Sequence, residues 1–217
     1  PARLQCLDVQ LVMSHFASAD VENTNQSARQ LMAFRASREK LPMGRTNLAN
    51  SAGIFLGAEY RGDVVRPGIA LYGCNPTPWT ENPMRPVVTL SAQILQVRHV
   101  APGETVSYGA THAVDKPSKI ATVAAGYADG YLRSLSNTGY GFISGIRVPV
   151  LGRVTMDMIM LDVSEIAEDK CRPGMWVELI GSHVTVDDVA AAAGTIGHEI
   201  MTSIGARYHR RYIGGEN

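Results

Sequence analysis

Two short loops in the second half of this chain carry groups that could move a proton and hold a carboxylate. In Val106-Ser107-Tyr108-Gly109-Ala110-Thr111 a phenol stands between a hydroxyl residue and a glycine, among apolar strand residues. A tyrosine so placed is a candidate proton donor and acceptor. About forty-five residues later, Gly152-Arg153-Val154-Thr155-Met156-Asp157 offers backbone N–H groups beside an aspartate, a candidate carboxylate clamp. Neither loop is a complete site. On spacing alone, a strand tyrosine with a solvated hydroxyl and a tight turn between two core strands fit these segments as well.

The elements that must position these loops differ between the two halves. Leu11-Val12-Met13 is a short apolar run that predicts a buried parallel strand. A polar helix follows from about Ala19-Asp20 to Lys40, with Ala28, Leu31, Met32 and Arg35 at helical spacing and Pro42-Met43-Gly44 as its stop. Asn47-Leu48-Ala49-Asn50 reads as a second strand, Ser51 to Leu56 as a brief helix, and Asp63-Val64-Val65-Arg66 as a third strand ending at Pro67-Gly68. This is β/α alternation. Residues 76–86 hold four of the eleven prolines, and a domain boundary is expected near residue 85. Beyond it, short strands separated by Pro-Gly, Asp-Gly and Ser-Gly turns predict an antiparallel, barrel-like β domain over residues 86–217. Thr185-x-x-Asp188 is a capping box opening a helix over Val186 to Ala193. A second helix is expected near His198 to Ile204, and Arg207 to Ile213 reads as a closing strand.

Composition narrows the function classes. Lys plus Arg and Asp plus Glu are equal at 20 each, so neither nucleic acid nor a membrane surface is expected as the main partner. No apolar run approaches the ~18 residues of a membrane span. Cys6, Cys74 and Cys171 are scattered, with no Cys-x-x-Cys pair, so free thiols in a reducing cytoplasm are expected and no metal site. The chain opens on Pro1-Ala2-Arg3 and shows about three β/α units, too few for an eight-stranded barrel, which points to a fragment. His183, His198 and His209 have no evident partner in the sequence.

Six motifs in order make the chain resemble the C-terminal part of the alanine racemase family. They are His15-Phe16-Ala17-Ser18-Ala19-Asp20, Ala49-Asn50-Ser51-Ala52, Val65-Arg66-Pro67-Gly68-Ile69, the Tyr108 loop, Gly126-Tyr127-Ala128-Asp129-Gly130-Tyr131 and the Met156 loop. The resemblance implies the last units of a (β/α)8 barrel over residues 1–85, followed by the β domain. It also implies a cytoplasmic homodimer with shared active sites, pyridoxal 5'-phosphate as cofactor and alanine as substrate. The family's Schiff-base lysine lies in the first barrel strand. The four lysines here, Lys40, Lys116, Lys119 and Lys170, lack its sequence context, so the chain alone is expected to be inactive.

The resemblance also implies residue roles. Tyr108 would be one of two bases on opposite faces of the substrate, serving the partner's site, with His15 as its helper in a relay that includes Arg66. A free tyrosine loses its proton only near pH ~10, so it needs such help. Arg66 would donate to the cofactor's pyridine nitrogen; an arginine stays protonated at any working pH, so the ring would remain a weak electron sink, favouring proton return over transamination. Ser51, Gly68 and Ile69 would hold the phosphate. Met156, by its backbone N–H, and Asp157 beside it would bind the substrate carboxylate. Asp20, Tyr127, Arg133 and Arg153 would line the substrate's access channel. Two departures stand out: Ala206 aligns with a phosphate-binding tyrosine of some members, with Tyr208 two positions away, and Asn47 stands where some carry a channel histidine. Two other readings remain: a racemase of a larger amino acid, and a β-barrel interaction module without chemistry.

Overall fold

The computed structural model describes Leu4 and residues 6–214. The chain divides into two compact units, residues 1–87 and 88–217.

In the first unit, β1 (Leu11–Met13) and β2 (Arg45–Asn47) pair in parallel, with Val12 opposite Thr46. Between them runs α1 (Gln26–Arg38). It contains the helically spaced residues Ala28, Leu31, Met32 and Arg35, and its start lies beyond Ala19-Asp20. Asn23 is in the left-handed region and the Thr24 hydroxyl accepts from the Gln26 N–H, so local side-chain bonding holds 20–25 in turns. Arg35 and Arg38 occupy the last turn, where positive charge suits the helix dipole. Arg38 also fastens the following loop by donating to the Pro42 and Gly44 carbonyls at 2.9 and 3.0 Å.

The second strand is displaced from the expected Asn47–Asn50. Leu48 and Ala49 leave the ladder for the core, beside Phe16, Ala19, Leu31 and Ala52. Asn50 caps α2 (Ser51–Phe55), its Oδ1 accepting from the Gly53 N–H at 2.9 Å. The third strand shrinks to a single parallel bridge, Asn47 to Val64. A Cβ on Gly53 would lie 2.8 Å from the Phe16 ring, so only glycine lets α2 approach the segment that carries His15.

The second unit is an antiparallel sheet of six strands. They are β3 (Leu90–Val100), β6 (Ser118–Val123), β7 (Tyr140–Ile143), β8 (Ile146–Pro149), β9 (Ile159–Asp162) and β10 (Trp176–Ile180), in the order β8-β7-β10-β3-β6-β9. A two-residue ribbon, β4 (Thr105–Val106) with β5 (His112–Ala113), brackets Tyr108. The sheet curls until its edges meet. Val150, just past β8, bridges Leu161 of β9, and the Leu151 N–H donates to the Met160 carbonyl at 2.8 Å. Alternating residues of the strands fill the interior: Ile94, Val123, Ile143, Val148, Ile159, Leu161, Val177 and Leu179 are sealed from solvent.

After β10, α3 (Val186–Ala193) opens on the expected capping box, Thr185 and Asp188 bonding reciprocally at 3.1 and 2.8 Å. Then comes α4 (Gly197–Ser203). The expected closing strand over Arg207 to Ile213 does not form. The Val150–Leu161 bridge already joins the sheet's two edges, and the segment instead sends Arg207 toward two carboxylates. His183 is not partnerless: it stacks on Phe142 and its Nδ1 lies 3.2 Å from Glu178.

Candidate active site

Each unit gathers its own set of polar groups. In the first, Arg66 sits at the end of the bridged segment, tied down by its own N–H donating to the Ala49 carbonyl at 2.9 Å. Its Nη1 donates to Asn47 Oδ1, and its Nη2 donates to the Ser14 carbonyl at 2.9 Å and lies 3.0 Å from His15 Nδ1. Guanidinium only donates, so Nδ1 is the acceptor of this bond. The ring's Nε2 lies 3.2 Å from Asn50 Nδ2, a second donor whose amide is oriented by Oδ1 accepting from the Gly53 N–H, and the imidazole side chain is exposed. The chain around His15 is itself held: Gln30 of α1 donates to the His15 carbonyl at 3.0 Å and accepts from the Ala17 N–H at 3.1 Å. Among the described residues the Arg66 Nε–H has no partner.

Beside Arg66, the buried Ser51 hydroxyl oxygen accepts from the Gly68 N–H at 2.8 Å and the Ala70 N–H at 3.3 Å. Both bonds use its lone pairs, so its own proton is left to donate outward. A Cβ on Gly68 would meet only that oxygen, at 3.9 Å, so the face of Gly68 is open. Ile69 N–H has no acceptor among the described residues. An open glycine face flanked by a hydroxyl donor and a free N–H fits an anion such as phosphate. Asp20 is exposed.

In the second unit three loops interlock. Tyr108 is 74% exposed, its loop shaped by Ser107 at φ +65° and Gly109 at φ +73°. The Arg153 guanidinium lies where a Cβ on Gly109 would project, 2.9 Å from it, so Arg153 covers the glycine next to Tyr108. Arg133 belongs to the bracing turn, where Ser136 Oγ accepts from the Val154 N–H at 3.0 Å and Asn137 Oδ1 accepts from the Gly152 N–H at 2.6 Å.

The third contact sets the Met156 loop. The Tyr127 and Ala128 N–H groups donate to the Thr155 and Met156 carbonyls, both at 3.0 Å. Gly126 packs so close that a Cβ would lie 2.3 Å from the Met156 oxygen. In a trans peptide the N–H opposes the C=O. The Met156 and Asp157 N–H groups therefore both point away from this turn, and neither has an acceptor among the described residues. Two adjacent N–H groups facing one way suit the two oxygens of a carboxylate.

Arg207, read in the sequence as part of a strand, completes this loop. Its Nη2 donates to Asp157 Oδ1 at 2.8 Å, and its Nε lies 3.2 Å from Asp129 Oδ1. The bond to Asp157, then the charge of Asp129, hold this guanidinium even more firmly protonated than an ordinary arginine. The contacts of Asn47 with Arg66 and of Asn50 with His15 emerge only in three dimensions. No spacing in the chain brings these asparagines to Arg66 and His15; the β2–α2 turn does.

The chain thus has two units: a β/α unit with an anion cradle, and an antiparallel barrel whose polar loops carry an exposed phenol. The family model for the N-terminal domain of alanine racemase matches residues 1–76, and that for its C-terminal domain matches residues 87–212. The chain belongs to the alanine racemase family. It is 49% identical over 207 residues to the alanine racemase of Methylobacterium nodulans, covering 95% of this chain and 56% of that protein. With the catabolic alanine racemase of Mesorhizobium japonicum it shares 47% identity over 209 residues, 96% of this chain and 54% of the relative. The crystal structure of the Bartonella henselae alanine racemase with covalently bound pyridoxal phosphate superposes with a TM-score of 0.90 at 40% identity, over 95% of this chain and 57% of that one. The chain therefore spans little more than half the length of the relatives it matches.

Proposed function

We propose that the protein interconverts L- and D-alanine in the cytoplasm with pyridoxal 5'-phosphate as cofactor, and that its D-alanine serves peptidoglycan synthesis. Family membership and the shape of the two residue sets support this reading; the observation that carries it is the exposed phenol of Tyr108 on a loop locked to the Met156 loop.

The cradle of Ser51, Gly68 and Ile69 suits the cofactor's phosphate, and the uncommitted Nε–H of Arg66 suits its ring nitrogen. When bound, the cofactor draws electrons from the substrate's α-carbon and makes its proton acidic. The residues do the rest. Tyr108 takes or returns a proton on one face of that carbon, opposite a lysine this chain does not supply. The imidazole of His15, held by the donation from Arg66 to Nδ1, steadies the phenol oxygen that the partner subunit brings. The outward N–H groups of Met156 and Asp157 bind the substrate carboxylate, and Asp20, Tyr127, Arg133 and Arg153 line its access route. Tyr108 and Met156 serve the partner subunit's cofactor site, so the working form is a homodimer. Residues 1–217 alone should not turn over alanine, and adding the cofactor to them should give no lysine-bound absorbance band.

The test is Tyr108→Phe in the enzyme expressed from its full reading frame and loaded with cofactor. Turnover of L- and D-alanine should fall ~10²- to 10⁴-fold, while thermal stability stays within ~0.5 kcal/mol of the parent, as for other exposed sites. Turnover within threefold of the parent would overturn the role of Tyr108, and a parent without turnover, the result expected of a non-catalytic barrel module, would overturn the reading.

A further inference from the structure

A negative side chain stands beside the N–H pair that faces an incoming carboxylate. The Asp157 carboxylate belongs to the residue that donates one of those N–H groups, and it is half exposed. Left alone it would act in two harmful ways. It would repel a substrate carboxylate a few ångströms away. It would also be free to fold back and accept from the backbone N–H groups that the substrate needs, as aspartates in turns commonly do.

Arg207 prevents both. Its Nη2 holds Asp157 Oδ1 at 2.8 Å while its Nε engages Asp129 Oδ1 at 3.2 Å. Asp129 is a firm anchor: its carboxylate is only 10% exposed, and Oδ2 accepts from the Gly126 N–H at 2.9 Å. The Asp129 carbonyl in turn accepts from the Gly205 N–H at 3.0 Å, which fixes the chain two residues before Arg207. A Cβ on Gly130 would lie 2.0 Å from the Ser203 carbonyl, so the end of α4 rests directly on this turn. One guanidinium is thus delivered by α4 to a pre-set position between two carboxylates. The isolated surface ion pair, worth little, is a poor description of it, because one carboxylate is nearly buried and both belong to segments already locked by backbone bonds.

We propose that Arg207 is a positioning residue for substrate recognition: it neutralises and restrains Asp157 so that the outward N–H groups of Met156 and Asp157 remain open to the substrate carboxylate. This rests on the racemase reading above. Arg207 does not itself touch the reacting atoms.

Replacing Asp157 separates this role from a merely structural one. In the full-length, cofactor-loaded enzyme, Arg207→Ala should raise KM for alanine about tenfold with kcat changed less than about threefold, because ground-state and transition-state carboxylate binding are lost alike. Arg207→Gln is made alongside with the same expectation, so loss of folding in one variant leaves the test intact. Calorimetric titration with acetate, a carboxylate with no reaction to undergo, should show its Kd rising in step with KM. Adding Asp157→Ala, which keeps the backbone N–H but removes both the charge and the side-chain acceptor, to either variant should bring KM and the acetate Kd back toward the parent, to within about threefold. If the parent enzyme does not racemise alanine, the racemase reading falls first. If it does, but Arg207 variants leave KM and the acetate Kd within twofold, or Asp157→Ala fails to restore them, the role of Arg207 is overturned and the racemase reading stands.

Discussion

The hydroxyl of Ser107 donates to the carbonyl of Arg153 at 2.7 Å, tying together two loops 46 residues apart in the chain. Around this bond the backbones come close. Gly152 has φ +73°, and a Cβ there would lie 2.7 Å from the Val106 carbonyl and 2.8 Å from the Ser107 Cβ. Tyr108 is therefore placed by a neighbour's missing side chain as much as by its own residue. Gly152→Ala should destabilise the protein by ~1–3 kcal/mol, from strain in φ and the forced separation of the loops. It should also lower kcat more than Tyr108-independent substrate binding. Thermal unfolding and steady-state kinetics of the full-length enzyme check this; an unchanged melting temperature would show that the loops part without cost.

Arg66 binds three partners through two nitrogens: Asn47 Oδ1, the Ser14 carbonyl and His15 Nδ1. A lysine carries the same charge but cannot span them with one ammonium. Arg66→Lys should cost ~1–3 kcal/mol, the range for losing a hydrogen bond to a charged group, and should weaken cofactor binding. Melting curves with and without pyridoxal phosphate separate the two effects. A variant that melts and binds like the parent would mean that the fork geometry is dispensable.

The acid limb of stability in the first unit should involve Asp63. Its Oδ2 accepts from both the N–H and the hydroxyl of Thr46 at 2.7 Å, which holds its carboxyl below the ordinary aspartate range. Because the folded state holds this proton less tightly than the unfolded chain, the contribution is present above the usual carboxylate range and is lost as pH falls through it. Asp63→Asn should flatten the decline in stability below about pH 4 and lower stability at neutral pH. Denaturation series at several pH values read this directly. Parallel curves for the two proteins would remove Asp63 from the account.

At the alkaline end the relevant groups are phenols. Tyr131 is almost fully buried and Tyr208 is part-buried, and each hydroxyl lacks a hydrogen-bond partner among the described residues. Burial pushes both phenols up, with the charge of Asp129 adding to the effect at Tyr208. The folded state then favours the protonated phenol, so this contribution is complete below the normal tyrosine range and fades as pH climbs above ~10. Tyr131→Phe removes a buried hydroxyl with no partner. It should leave stability unchanged or raise it by up to ~1 kcal/mol at neutral pH, and shift alkaline unfolding to higher pH. A clear loss of stability would instead reveal a bridging water or another acceptor at that hydroxyl.

Much of the fold was written in local chemistry. The Thr185–Asp188 capping box and the Gly-containing turns between barrel strands specify their elements through contacts a few residues long, whereas the apolar triplet Leu11–Met13 forms its expected parallel strand by pairing with distant Arg45–Asn47, with Leu11 and Met13 exposed and not buried as its composition suggests. The six motifs located the candidate site residues because each loop has a distinctive run of residue types. The chain itself thus determined most of the helices and barrel strands and the loops that carry candidate groups, but not the fate of Asp63 to Arg66 or of Arg207 to Ile213. It could not determine what those groups meet. Asn47, the last ladder residue of β2, accepts from Arg66, the tail after α4 gives up strand pairing to bring Arg207 between Asp129 and Asp157, and the Met156 N–H direction follows from Tyr127 and Ala128 donating from another loop. Those outcomes depend on edges closing and backbones packing over long sequence separations, and that information exists only once the sheet has curled and the loops have met.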